Sequence, residues 1–80
     1  MDGKIKQDTI IPIGKNIREI RMGKGIGQTE LVRLLQLQGV DMTRETLVKI
    51  ERGIQHIYAG QLKAIRDQLG TTYDELLKAE

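Results

Sequence analysis

The residues best equipped for chemistry lie between Thr43 and Gly53, in the run TRETLVKIERG. With Leu47 and Ile50 turned inward at helical spacing, Thr43, Arg44, Glu45 and Lys49 fall on the outer or N-terminal side of one short helix. An arginine fork there can donate two parallel hydrogen bonds to the paired acceptors of guanine, and a lysine can reach guanine or a phosphate. Glu45 can accept from a cytosine amino group, or it can do no more than repel a nearby phosphate. Lys24, Thr43 and Arg52 are further candidates for phosphate contact. An arginine on a solvated surface looks the same in isolation, so the pattern around Arg44 matters more than the residue.

Other chemistries find little material. The chain has no cysteine and no serine, which removes disulfides, thiolate metal sites and both common nucleophiles. His56 is the one histidine, too little for a metal site, and fits better as a loop residue near a phosphate backbone. The glycines of Gly23-Lys24-Gly25-Ile26-Gly27 follow a helix rather than a strand and match neither nucleotide-binding fingerprint. Asp74 and Glu75 are explained by helix capping. Tyr58 and Tyr73 are too few and too separated to stack single-stranded bases. No enzymatic activity, metal or cofactor is expected.

The elements that must position these residues are helical. Ile13, Ile17 and Ile20 share one face of a first helix ended by the glycine cluster. A second helix starts near Gln28, with Leu31, Leu34, Leu35 and Gln38 facing one way, and stops at Gly39. A third follows Thr43, a good N-cap, buries Leu47 and Ile50, and stops at Gly53. A fourth starts near Ala59, carries Leu62, Ile65 and Leu69 and stops at Gly70. The last opens on Thr72-Tyr73-Asp74-Glu75, read as a reciprocal capping box, with Leu76 and Leu77 after it. No segment alternates as a half-buried strand does. Residues 1–12, in which Pro12 favours an extended Ile11, read as an extended N-terminal arm or tether, and 13–80 as the domain.

Helices this short are not stable alone, so their apolar faces must share a core, aliphatic because the chain has no Phe or Trp. The expected fold is all-α, a compact bundle of about five short helices. The 80 residues carry a formal charge of +2. Between Lys15 and Arg52 stand eight basic residues against five acidic ones, so the positive excess lies on the segment that carries Arg44, as an electrostatic footprint would. Neither a membrane span nor a secretory signal is apparent, and a cytoplasmic location is expected.

The series Ile17…Ile20-Arg21…Gly25-Ile26-Gly27-Gln28-Thr29-Glu30-Leu31-Val32, then Thr43 to Gly53, resembles the phage repressor/Cro-type helix-turn-helix family. Leu62…Ile65…Leu69-Gly70 to Leu77 is similar to that family's closing helices. The resemblance covers residues 13–77 and implies a sequence-specific regulator of transcription that binds double-stranded DNA. Its helix-turn-helix unit spans 28–53, and its recognition helix, 43–52, enters the major groove. It further implies that Gln28 contacts the DNA backbone, that Arg21 pairs with Glu51 as structural support, and that the chain dimerises through the region of Tyr73–Lys78. With no room for a ligand-sensing domain, regulation is expected from dimerisation or partners, or from a longer protein of which this is a fragment. A different class stays open at this point: a protein-interaction module, such as an antitoxin or scaffold, with the arm as its contact.

One departure from the family concerns the turn. Val32 to Gly39 is seven residues and Gly39 to Thr43 four, five more in all than the family's usual spacing. Three of them, about Gln36–Gln38, should add nearly one turn to the second helix, because a turn takes 3.6 residues. The other two enlarge the turn, where Val40 or Met42 is expected to close over the core.

Overall fold

The computed structural model describes residues 3–7 and 11–79. Its elements are β1 (Lys4–Ile5), α1 (Ile13–Gly23), α2 (Gln28–Leu37), α3 (Arg44–Glu51), β2 (Ile57–Tyr58), α4 (Ala59–Leu69) and α5 (Tyr73–Leu76). None of these helices is long and apolar enough to cross a membrane. Residues 1, 2, 8–10 and 80, which belong to the expected arm and domain, lie outside the described residues.

The five helices pack around one aliphatic core. Ile17, Leu31, Leu35, Leu47, Ile50, Ile57, Ile65 and Leu76 are wholly enclosed. In α2 the inward positions are Leu31, Val32 and Leu35; Leu34 is half-buried and Gln38 exposed. The buried arc is therefore centred near Leu35, between Leu31 and Val32, and Gln38, expected inward, falls outside it just past the end of α2. Two terminations frame the central unit. Gly39 and Gly53 have φ of +90° and +77°, a left-handed geometry that side chains resist and glycine adopts freely. Each lets the chain fold back on its helix: Val40 N–H donates to Leu35 C=O, and Ile54 N–H to Lys49 C=O, so the final carbonyls are satisfied.

A strand pairing was not expected, yet Lys4 pairs with Tyr58 and Ile5 with Ile57, antiparallel. Two-residue strands are too short for alternation to show. The described part of the arm is accordingly docked rather than a tether, with Ile5 against the core. Gln7 secures it: its Oε1 accepts from Gly14 N–H at 2.7 Å, and its Nε2 donates to the carbonyls of Ile50 and Gln55 at 2.9 Å each. At the other end, Asn16, buried in α1, donates from Nδ2 to the carbonyls of Leu76 and Lys78 at 2.9 Å and so holds α5. The capping box there is only half formed. Thr72 Oγ1 accepts from Glu75 N–H, while the Glu75 carboxylate stands 4.0 Å from the Lys78 ammonium.

Candidate nucleic-acid interface

Helix α3 is placed by what it lies against. Gly14 of α1 meets it so closely that a Cβ there would stand 1.8 Å from the Ile50 carbonyl oxygen, so no other residue fits without moving backbone. Leu47 and Ile50 face inward with no exposure. That fixes the rotation of the helix and leaves Arg44, Glu45 and Lys49 exposed.

Below this outer side, Arg21 and Glu51 form a buried pair. Arg21 Nε donates to Glu51 Oε2 at 2.7 Å and Nη2 to Oε1 at 2.9 Å, the parallel geometry in which a guanidinium grips a carboxylate best. Nη1 donates to the Ile26 carbonyl at 2.8 Å, which adds the turn before α2. The side chains are 8% and 1% exposed, so each charge depends on the other for compensation.

Gln28 opens α2 and joins the same network, its Nε2 donating to Glu51 Oε1 at 3.0 Å. A primary amide has two N–H donors, so one serves Glu51 and the second remains for an anion. The N-terminus of α2 has no side-chain cap. Its first backbone N–H groups and the positive end of the helix dipole make it a suitable seat for a phosphate. Lys24 is exposed in the turn just before it.

On α3 the candidates differ in freedom. Thr43 is the N-cap: Oγ1 accepts from Thr46 N–H at 3.1 Å and its hydroxyl donates to Thr46 Oγ1 at 3.0 Å, so the hydroxyl is already engaged within the helix. Glu45 and Lys49, one turn apart, form an exposed pair at 3.4 Å, an arrangement worth roughly 0.3–0.5 kcal/mol. The side chains of Arg44 and Arg52 are exposed and make no hydrogen bond or ion pair among the described residues. At the start of α3, then, stands an unengaged guanidinium with a carboxylate beside it and an ammonium one turn on.

The enlarged turn is ordered by two side chains. Met42 is 1% exposed and closes over the core, with Val40 half-buried beside it, and Gln36 donates from Nε2 to the Met42 carbonyl at 2.8 Å. Met42 was one of two residues anticipated for this place. Gln36, like Gln7 and Asn16, was missed, because an amide whose partners are main-chain carbonyls elsewhere in the fold leaves no periodic signal. The glutamine-rich end of α2 was the only hint.

No protein-family model matches the chain, and no curated protein is significantly similar to it in sequence. Solved structures do match. The restriction-modification controller protein C.AhdI from Aeromonas hydrophila aligns with a TM-score of 0.68 and 27% identity over 82% of this chain and 92% of its own. A hypothetical transcription factor, NHTF, from Neisseria gives 0.72 and 29% over 91% of this chain and 78% of its own. The SHP pheromone receptor Rgg2 of Streptococcus dysgalactiae gives 0.64 and 27% over 80% of this chain, which spans only 22% of that receptor.

Proposed function

From a chain with the Cro/repressor-type helix-turn-helix fold, we propose a regulator of transcription that binds double-stranded DNA in a sequence-specific manner, with α3 in the major groove. The observation that carries the proposal is the outer side of α3, where the Arg44 side chain is exposed and unengaged, on a helix whose last residue, Glu51, is joined to Gln28 at the uncapped start of α2. Arg44, Glu45 and Lys49 are the base-reading residues. Lys24, Gln28 and Arg52, with the backbone of Thr43 at the helix start, contact phosphates, which set position and affinity without carrying sequence information. The names of C.AhdI and NHTF, a controller protein and a transcription factor, support the same class.

The regulator acts in the cytoplasm as a homodimer. Tyr73 and Leu77 stay partly exposed at 37% and 38% around α5 and form the apolar patch through which two copies meet. The protein-interaction alternative assigned its contact to the arm, of which Ile5 and Gln7 are engaged within the fold.

Duplexes selected from a random pool, then titrated across salt concentrations, test the proposal. Wild type should bind two chains per palindromic duplex with a steep salt dependence. Arg44→Ala should lose about 1–3 kcal/mol and relax preference at one base pair. Equal affinity and unchanged preference in that variant would rule out Arg44 as a base reader.

A further inference from the structure

Helices α2 and α3 are joined at both ends by glutamine amides. Gln28, the first residue of α2, donates to Glu51, the last residue of α3. Just over two turns further along α2, Gln36 donates to the carbonyl of Met42, which lies shortly before α3 begins. The start of α2 is thus held to the end of α3, and the end of α2 to the start of α3. A single joint would leave α3 free to pivot against α2, whereas two fix the angle between them.

The second joint matters because the connection is long. Residues 38–43 link the two helices. Among the described residues, the Gln36 amide makes the one hydrogen bond from α2 to positions 41–43. Met42 is also seated in the core, 1% exposed. A methionine side chain has three rotatable bonds and adapts to its surroundings, so it sets the depth of the chain more than the direction of its peptide. The bond to the Met42 carbonyl at 2.8 Å sets that direction. It orients the peptide that leads into Thr43, whose hydroxyl oxygen caps α3 by accepting from Thr46 N–H. The end of α2 is meanwhile secured from its other side. Gln38 donates to Asp67 at 3.2 Å and accepts from Gln68 at 2.7 Å, both on α4. With the end of α2 tied to α4, loss of the Gln36 bond displaces the start of α3, and Arg44 with it, rather than α2.

We propose that Gln36 is a positioning residue for base reading, its amide holding the start of α3 at the angle from which Arg44 meets its base pair. This rests on the DNA-binding function proposed above and assigns part of its specificity to a side chain that acts through Met42 and Thr43. The argument is one of range. A bidentate contact to guanine discriminates through two simultaneous hydrogen bonds, and a shift of about 1 Å takes a hydrogen bond out of reach. Phosphate contacts by lysines on flexible stems tolerate such a shift. Loosening the joint therefore costs sequence preference before it costs general attraction to DNA.

The test is Gln36→Leu, which keeps a strong helix former and removes the donor without changing charge. In the free protein, backbone N–H residual dipolar couplings should show both helices intact and α3 reoriented relative to α2. Affinity for the selected duplex should fall about tenfold, with preference relaxed at the base pair read by Arg44. Affinity for random duplex and the salt slope should stay at their wild-type values, because no cation has been lost. Thermal unfolding is the folding control, the loss of one hydrogen bond lowering the midpoint by about 4–8 °C. Couplings that fit the wild-type orientation overturn the positioning role whether or not the protein binds DNA. Equal losses on selected and random duplexes overturn it as well, leaving Gln36 a contributor to stability alone. No duplex binding by wild type, with α3 reoriented in the variant, overturns the DNA-binding function and upholds the joint.

Discussion

At the scale of single residues, the governing contrast is between charges the fold has enclosed and charges it has left in water. The Arg21–Glu51 pair is enclosed on all sides and gripped through two short hydrogen bonds. Removing one partner leaves the other as an uncompensated buried ion. Glu51→Ala should therefore destabilise the protein by about 3–5 kcal/mol, read from denaturant unfolding. Replacing both residues by apolar ones, Arg21→Met with Glu51→Leu, should recover most of the loss. If the double variant were as unstable as the single one, the stabilisation would lie in packing and not in charge compensation. Glu51 also holds Gln28, so the single variant should bind DNA less tightly even where it remains folded. The Glu45–Lys49 pair, in water, should matter little to stability.

At the scale of elements, the fold turns on how closely helices approach. Gly14 and Gly60 each occupy the second position of a helix, α1 and α4, yet their surroundings are opposite. A Cβ at Gly14 would run into the backbone of α3, whereas at Gly60 it would meet nothing within 4 Å. Gly14→Ala should cost about 1–3 kcal/mol by forcing the helices apart, and Gly60→Ala should gain about 0.4–1 kcal/mol by restricting the unfolded chain. Thermal unfolding of the two variants side by side checks the contrast. On the outer side of α4 the charges are paired mainly within the helix itself. Hydrogen bonds from Arg66, then Lys63, with a smaller contribution from Gln38, hold the Asp67 carboxyl below its ordinary 3.8, at about 2, against a slight opposing effect of desolvation. Because the folded value is the lower one, the interaction stabilises the protein above pH about 3.8 and is lost as pH falls toward 2. Asp67→Asn should thus be less stable than wild type near neutrality, with the difference closing below pH about 2. A difference unchanged with pH would assign the effect to something other than the carboxylate's charge.

Across the whole molecule, what was legible in the sequence follows from how local each signal is. The five helices were readable because apolar spacing and glycine stops are written within a dozen residues, and Thr43 announced its own cap. The turn's extra length was visible by counting, but its order was not, since that depends on Gln36 reaching Met42 and on Met42 finding the core. The outward position of Arg44, Glu45 and Lys49 followed from the inward period of Leu47 and Ile50. The engagement of Gln28 with Glu51 did not, because it depends on atoms brought together only by folding. The ladder and the two amide anchors were invisible for the same reason: Gln7 reaches partners 43 and 48 residues away, and Asn16 reaches 60 and 62.

Gln7 also makes one amide a clock. The first N–H groups of a helix have no acceptor within it, and that of Gly14 is held by the Gln7 side chain. Its exchange with deuterium should therefore follow the release of the N-terminal strand, an opening smaller than global unfolding, while Leu47 within α3 exchanges only when the core opens. In Gln7→Ala the Gly14 amide should exchange faster, with Leu47 changed only by the shift in overall stability. Equal acceleration at both sites would mean that strand and core open together, as one cooperative unit.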